Sequence, residues 1–157
     1  IISIAGPGRP LDEVLKEHMS HLVPGARTVV YDIIDKLKAG DTVSNIPPIL
    51  RPLFRESVQP FIISLFRYDP AAQLRKVKAP VLLISGGTDF QVKTADAEKL
   101  AAASPRARLV VIPDMNHILK KCDHTDKKKQ VDETYNDPDL PLHPEITAPV
   151  AQFIHSL

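Results

Sequence analysis

Two side chains capable of acid–base chemistry follow the two most clearly apolar strand patterns of the sequence. Asp89 comes after the run at 80–85, and His117 comes after the run at 109–112. In an open parallel sheet, the loops after successive strands lie at one edge, where ligands gather. A carboxylate that accepts a hydrogen bond from one imidazole nitrogen fixes the tautomer, so the other nitrogen can take a proton. The pair therefore predicts general-base chemistry at that edge.

Each of these residues also has a purely structural interpretation. An aspartate after Gly-Gly-Thr is typical of a turn or a helix cap, and a histidine after Met115-Asn116 is compatible with a packed structural side chain. Their separation of 28 residues leaves room for one helix and one strand between them. Because both follow consecutive predicted strands, the paired functional interpretation is favoured over two independent structural ones.

The elements that must position this pair are those of an α/β fold. Continuous rather than alternating apolarity at 80–85 and 109–112 predicts strands that are buried on both faces, as in a parallel sheet covered by helices. A helix is predicted at 94–103, with Thr94 as its cap, and a third buried strand at 1–5. The last element is a helix within 144–157, in which Pro149 is tolerated only in the first turn and whose apolar face consists of Val150, Phe153, Ile154 and Leu157. Alternating strands and helices with short connections indicate the α/β class.

Helical patterns without any strand pattern fill the region between the first two predicted strands. Apolar stripes predict one helix from Leu11 to Leu22, ended by Pro24-Gly25, and a second that begins near Thr28. Prolines break 42–60 into short turns. The predicted regions are a core strand at 1–8, a helical cap or lid at 9–76 and an α/β core at 77–157. The polar, charged residues 120–142 are predicted to form a loop.

Composition excludes several classes of protein. The chain has 157 residues, 43% hydrophobic and 25% charged, with a net charge of +1, which gives no reason to expect nucleic acid as a partner. The single cysteine, Cys122, excludes an internal disulfide, and no apolar run approaches the ~20 residues of a membrane span. The chain opens within a strand pattern at Ile1, so we expect a piece of a longer protein, whose compartment this sequence leaves open.

Four stretches carry a resemblance to a known family. Residues 78–92 resemble the acid-bearing strand and loop of α/β-hydrolases, and residues 109–117 resemble their histidine loop. Residues 95–103 match the helix that this family places between them. Residues 2–10 are similar to the strand after the nucleophile helix in the serine aminopeptidase-like and esterase branch. The resemblance implies the C-terminal half of a doubly wound, mostly parallel α/β-hydrolase sheet with an inserted helical cap.

The resemblance also implies a chemistry for the candidate residues. Asp89 would be the triad acid and His117 the general base of an enzyme that cleaves ester or peptide bonds through an acyl-enzyme on serine, without metal or organic cofactor. In the intact enzyme the cap would shape the pocket for a small-molecule ester or peptide substrate. Four apolar cap residues are candidate pocket liners, although for any one of them packing of the cap onto the core is the favoured role: Met19, Phe54, Phe61 and Phe66.

The sequence departs from this family at the nucleophile. α/β-hydrolases carry the nucleophile in a Gly-x-Ser-x-Gly turn, and none of the eight serines has glycine both two before and two after it. We therefore expect the serine and the oxyanion donors to lie in a missing N-terminal half, and the chain alone to be inactive. The alternative is a non-catalytic hydrolase-like module that binds a ligand or forms a homo-oligomer through an unpaired strand edge.

Two other groupings give weaker signals. Cys122-Asp123-His124, with His117 nearby in sequence, superficially resembles a set of metal ligands, but one cysteine without a second paired motif argues against a metal site. The lysines at 120–121 and 127–129 alternate with acidic residues. That pattern favours a solvated loop over a nucleic-acid patch.

Overall fold

The structure, a computed structural model, describes residues 1–157. The chain forms two compact units, of which the first comprises Ile1–Gly8 with Ala71–Leu157 and the second comprises Arg9–Pro70. The elements in chain order are β1 (Ile2–Ile4), α1 (Leu11–His18), α2 (Pro24–Ala39), α3 (Arg51–Phe54), α4 (Gln59–Phe66), α5 (Pro70–Leu74), β2 (Val81–Gly86), α6 (Thr94–Ala103), β3 (Ala107–Ile112), α7 (Lys127–Gln130) and α8 (Thr147–His155).

The sheet of the first unit has three parallel strands in the order β1-β2-β3. In β2, Ile84 is opposite Ile4 on one side and Val110 on the other, so β2 is the central strand. All six residues of β2 are buried. The parallel sheet with its helices confirms the predicted α/β class.

Both faces of β2 are covered, which explains its continuous apolar sequence. Leu82 and Ile84 belong to a buried cluster with Phe153 of α8. Leu83, on the opposite face, packs in a second cluster with Leu100 of α6. Because successive side chains of a strand point to opposite faces, a strand covered by helices on both faces has apolar residues at consecutive positions, as at 81–84.

The two outer strands are less buried than the sequence predicts. Ile2 and Ile4 of β1 are 36% and 38% exposed, and only Ile112 of β3 is fully buried. Strands form within 1–5 and at 109–112, as predicted, but the prediction that these two strands are buried on both faces was wrong. Each outer strand pairs with β2 alone, and a local apolar pattern carries no information about how many neighbours a strand has.

The second unit is a helical cluster around α2. Val30, Ile34 and Leu37 of α2 are buried against Phe54 and Phe66. The helix ends at Gly40, whose φ of 97° is left-handed and favours glycine.

The predicted boundary between the first two helices was wrong. α1 ends at His18, and α2 begins at Pro24 rather than near Thr28. Proline is favoured in the first turn of a helix, where its missing N–H has no partner to lose, so Pro24 begins α2 instead of ending α1.

The predicted loop at 120–142 contains a helical segment, here called the brace segment, made of α7 and a π-helical turn at Val131–Tyr135. Its N-cap is Asp126, whose side chain accepts a hydrogen bond from the Lys129 amide at 2.9 Å. The 3.1 Å ion pair from Lys128 to Asp132, four residues on, supports the same turn. High polarity, on which the loop prediction depended, does not exclude a capped helical turn.

The C-terminal helix was predicted with an apolar face of Val150, Phe153, Ile154 and Leu157. Phe153 is buried and Val150 packs beside it, but Ile154 and Leu157 are 54% and 73% exposed. Pro149 lies in the first turn of α8, as predicted. None of the helices combines the length and apolar character that crossing a bilayer requires.

Candidate active site

Asp89 and His117 form a hydrogen-bonded pair in the structure. The distance from His117 Nδ1 to Asp89 Oδ2 is 2.8 Å. The Asp89 side chain is fully buried and the His117 side chain is 30% exposed. An ionised carboxylate only accepts hydrogen bonds, so Nδ1 is the donor and Nε2 is the unprotonated nitrogen of the neutral ring. Nε2 has no hydrogen-bond partner within the chain.

The second oxygen of Asp89 closes its own turn. Oδ1 accepts hydrogen bonds from the backbone amides of Gln91 at 2.7 Å and Val92 at 2.9 Å. This is the side-chain-to-backbone bonding that favours aspartate in turns. The turn interpretation and the pairing interpretation therefore both hold, since each uses one carboxylate oxygen. The two amides orient the carboxylate so that Oδ2 faces the imidazole.

Glycine at the end of β2 allows the two loops to approach. A Cβ placed on Gly86 would lie 2.0 Å from the backbone oxygen of Met115. Where the two backbones approach each other, the Gly87 amide donates a hydrogen bond to Ile112 O at 2.8 Å, and the Thr88 amide donates one to Met115 O at 3.2 Å. The Gly-Gly pair therefore brings the backbone before Asp89 against the backbone before His117.

Asn116 closes the loop that carries His117. Its backbone amide donates to Lys120 O at 3.0 Å, and its Oδ1 accepts from the Lys120 amide at 3.0 Å. The turn is tight enough to hold Leu119 at a φ of 63°, a left-handed conformation that is costly for a side chain of this size. Asn116 is fully buried. The histidine thus projects from a short loop that is fixed at both ends.

Two buried residues of the brace segment contact these loops, and the sequence analysis missed both. Gln130 Nε2 donates to Thr88 O at 2.7 Å, and Thr134 Oγ1 accepts from Asn116 Nδ2 at 2.8 Å. Signals for a helix were present, because Asp126 is a good N-cap residue and neither glycine nor proline occurs between 126 and 137. The contacts themselves join positions 42 and 18 residues apart.

Tyr135 lies beside the acid loop. Its hydroxyl accepts a hydrogen bond from Gln91 Nε2 at 2.7 Å, and its ring centroid is 5.8 Å from that of Phe90. Burial raises the pKa of the Tyr135 phenol above its ordinary value, and the charge of Asp89 raises it further. The phenol is therefore neutral at pH 7 and acts as a hydrogen-bonding group.

The four predicted pocket liners have different environments within the helical unit. Phe54 and Phe66 are buried in its core, and Met19 packs against that core. Phe61 is 65% exposed. Packing accounts for the first three without any ligand, so their assignment to a substrate pocket stays a prediction.

The cluster around Cys122 is compact. Cys122 Sγ lies 3.8 Å from His124 Nε2, which lies 2.9 Å from Glu133 Oε2. His117 is engaged with Asp89 instead. No group of three or more histidine, cysteine or acidic side chains has the arrangement of a metal site.

The amino-acid sequence of the chain is similar to that of a known protein. No protein-family model matches the chain. Over 132 residues, or 76% of the chain, it is 27% identical to Esterase EstD of Thermotoga maritima. The central parallel strand followed by the acid and histidine loops agrees with that match. The chain carries part of an α/β-hydrolase fold. The chain spans 29% of the length of the esterase.

The solved structures that are similar to this chain are more distant from it in sequence. A hydrolase from Pseudomonas aeruginosa PA01 is 16% identical with a TM-score of 0.40, and the match covers 74% of this chain and 48% of that one. Rv0554 from Mycobacterium tuberculosis is also 16% identical, with a TM-score of 0.38 and the same two coverages.

Proposed function

We propose that the chain is the acid- and histidine-bearing part of a serine acyl hydrolase, either a carboxylesterase or a peptidase-like enzyme. The observation that carries this proposal is the 2.8 Å contact between His117 Nδ1 and the buried carboxylate of Asp89. The contact lies at the carboxyl ends of parallel strands, where an α/β fold places its ligands. The similarity to an esterase supports acyl transfer as the reaction class.

In this reaction His117 is the general base and then the general acid. Nε2 takes the proton of a serine hydroxyl as that oxygen attacks the acyl carbon, and later gives the proton to the departing alcohol or amine. Asp89 stabilises the intervening imidazolium through Nδ1 and prevents the ring from turning. The two amide bonds to Asp89 Oδ1 keep the carboxylate in place during the transfer.

The nucleophile and the oxyanion donors are proposed to come from a segment outside these 157 residues. None of the eight serines stands in a Gly-x-Ser-x-Gly turn. Ser85, the serine nearest in sequence to the acid, is buried within β2. Without a nucleophile the acid–base pair has no proton to take, so the chain alone is expected to be inactive.

The experiment compares the chain with a longer product of its reading frame that contains a Gly-x-Ser-x-Gly turn. The substrate is a p-nitrophenyl ester of a short acid. The chain alone is expected to hydrolyse it at the buffer rate, and the longer protein to show turnover. In the longer protein, His117→Ala is expected to abolish turnover, and Asp89→Asn to reduce kcat by about 10⁴-fold.

Three results would contradict the proposal. Turnover by the 157-residue chain that is lost in His117→Ala would show that the nucleophile lies within it. Turnover by the longer protein that survives His117→Ala would show that this histidine is not the base. A longer protein that remains inactive would favour a non-catalytic binding module.

Self-association is a second candidate function, and one observation favours it. β1 pairs with β2 on one side only, and its Ile2 and Ile4 side chains are more than a third exposed. Strand edges of this kind pair readily with other chains. Sedimentation of the chain is expected to show a dimer that is lost when Ile2 and Ile4 are both replaced by lysine. A monomer at high concentration would contradict this function.

A further inference from the structure

We propose that Gln130 and Thr134 are positioning residues that set the geometry of the Asp89–His117 pair. The inference rests on the proposed function only because it takes this pair to be the reactive one. The brace segment that carries both residues lies after the histidine loop in the chain. Neither residue touches the reacting atoms, and each acts through the residue that precedes one member of the pair.

Gln130 and Thr134 make matching hydrogen bonds, one to the loop of Asp89 and one to the loop of His117. Gln130 Nε2 donates to the backbone oxygen of Thr88, the residue before Asp89, at 2.7 Å. Thr134 Oγ1 accepts from the side-chain amide of Asn116, the residue before His117, at 2.8 Å. The same Asn116 side chain closes the histidine turn through Lys120. One helical segment thus contacts both loops directly before the residues that they present.

The two positioning residues are also joined to each other. Thr134 Oγ1 donates to the backbone oxygen of Gln130 at 2.7 Å, across one turn of the segment. The π-helical turn at Val131–Tyr135 follows Gln130 directly and carries Thr134, so both residues belong to one continuous helical segment. The spacing along that segment limits the separation at which Thr88 and Asn116 are held. The geometry of the pair therefore depends on the brace segment as well as on the sheet.

The residue type at position 130 supports this role. Gln130 is fully buried, and its Nε2 donates to His124 O at 2.6 Å as well as to Thr88 O. Its Oε1, however, is buried without a partner. An apolar side chain of similar size would fill the same space without that unsatisfied oxygen. The two donated hydrogen bonds explain a glutamine here, since without it two carbonyl groups would lose this donor.

The test uses the 157-residue chain and follows the His117 Nδ1–H proton by NMR. Thr134→Val removes the hydroxyl at nearly constant shape, and Thr134→Ser retains it. Gln130→Leu removes both donated hydrogen bonds. The matched control is Gln59→Leu in the helical unit, where Gln59 is also fully buried and also donates to two carbonyl groups, those of Val43 and Phe54.

Thr134→Val and Gln130→Leu are expected to move the Nδ1–H resonance and to speed its exchange with solvent about tenfold, since each removes a buried hydrogen bond that holds a loop. Thr134→Ser and Gln59→Leu are expected to leave both unchanged. A resonance that is unaffected in Thr134→Val, or as strongly affected in Gln59→Leu as in Gln130→Leu, would overturn the proposal.

A second measurement needs no substitution. In the unmodified chain, one opening of the brace segment is expected to expose both the Gln130 side-chain amide and the His117 Nδ1–H. Their exchange rates should therefore rise in parallel as urea is added below the unfolding transition. Independent responses would overturn the proposal. Both readouts are independent of hydrolysis. An inactive longer protein would therefore refute the proposed function and leave the positioning role of Gln130 and Thr134 unaffected.

Discussion

Gly86→Ala tests the close approach that brings the acid and histidine loops together. The added Cβ would lie 2.0 Å from Met115 O, whereas contacts under 3.0 Å are essentially never seen. The two backbones must therefore separate by about 1 Å. Overpacking of this kind costs about 1–3 kcal/mol. Loss of the hydrogen bond from the Thr88 amide to Met115 O adds about 1 kcal/mol. The expected loss in the free energy of unfolding is about 2–4 kcal/mol.

The assay is urea denaturation at 25 °C followed by far-UV circular dichroism, with Gly25→Ala as the matched control. Gly25 lies in the first turn of α2, and a Cβ there would meet nothing within 4 Å. Alanine restricts the unfolded chain and is the better helix former, so this control is expected to gain about 0.4–1 kcal/mol. Equal stabilities of the two variants, within about 0.5 kcal/mol, would refute the steric reasoning.

Three further predictions concern the strands, the ion pair made by buried Asp12 and the cap of the brace segment. In urea denaturation, Leu82→Ala in β2 is expected to cost about 2–5 kcal/mol, and Val111→Ala on the exposed side of β3 under about 1 kcal/mol. Equal costs would contradict the assignment of β2 as the central strand. Lys38→Met is expected to cost roughly 1–3 kcal/mol, because buried Asp12 loses its hydrogen-bonded partner. A double variant that adds Asp12→Asn should recover part of that loss, and no recovery would exclude the coupling. The hydrogen bond from the Lys129 amide holds the pKa of Asp126 below its ordinary 3.8. The stability that this carboxylate contributes is therefore present above pH 3.8 and is lost as the pH falls through the lower folded-state pKa. Protection of the Lys129 amide from exchange, relative to an unstructured amide at the same pH, should fall in this acid range, and Asp126→Asn, which still caps, should remove that dependence.

The sequence predicted β2, α6 and the Asp89–His117 pair because the relevant signals are local. An apolar run, a helix-forming segment and the position of each residue after its strand are all contained within short windows. The exposed sides of β1 and β3 were not predictable in this way. Burial of a strand depends on its neighbours in the sheet, and those neighbours are distant in the chain.

The polar contacts around the pair escaped prediction for a similar reason. Gln130 and Thr134 occupy a strongly charged stretch, and charge is a local property that favours exposure. Their burial depends on Thr88 and Asn116, which belong to other segments. The left-handed φ of Leu119 is likewise a result of loop closure, since leucine has no local preference for that conformation.

The order of the three strands has a consequence for how the chain folds. Ile2 of β1 pairs with Leu82, which follows 80 residues later, whereas Val81 of β2 pairs with Ala107 only 26 residues on. Closing a loop about three times longer costs roughly 1 kcal/mol more in chain entropy. We therefore expect β2, α6 and β3 to assemble first and β1 to dock late, so that the rate of folding is governed by the local βαβ unit while β1 mainly slows unfolding.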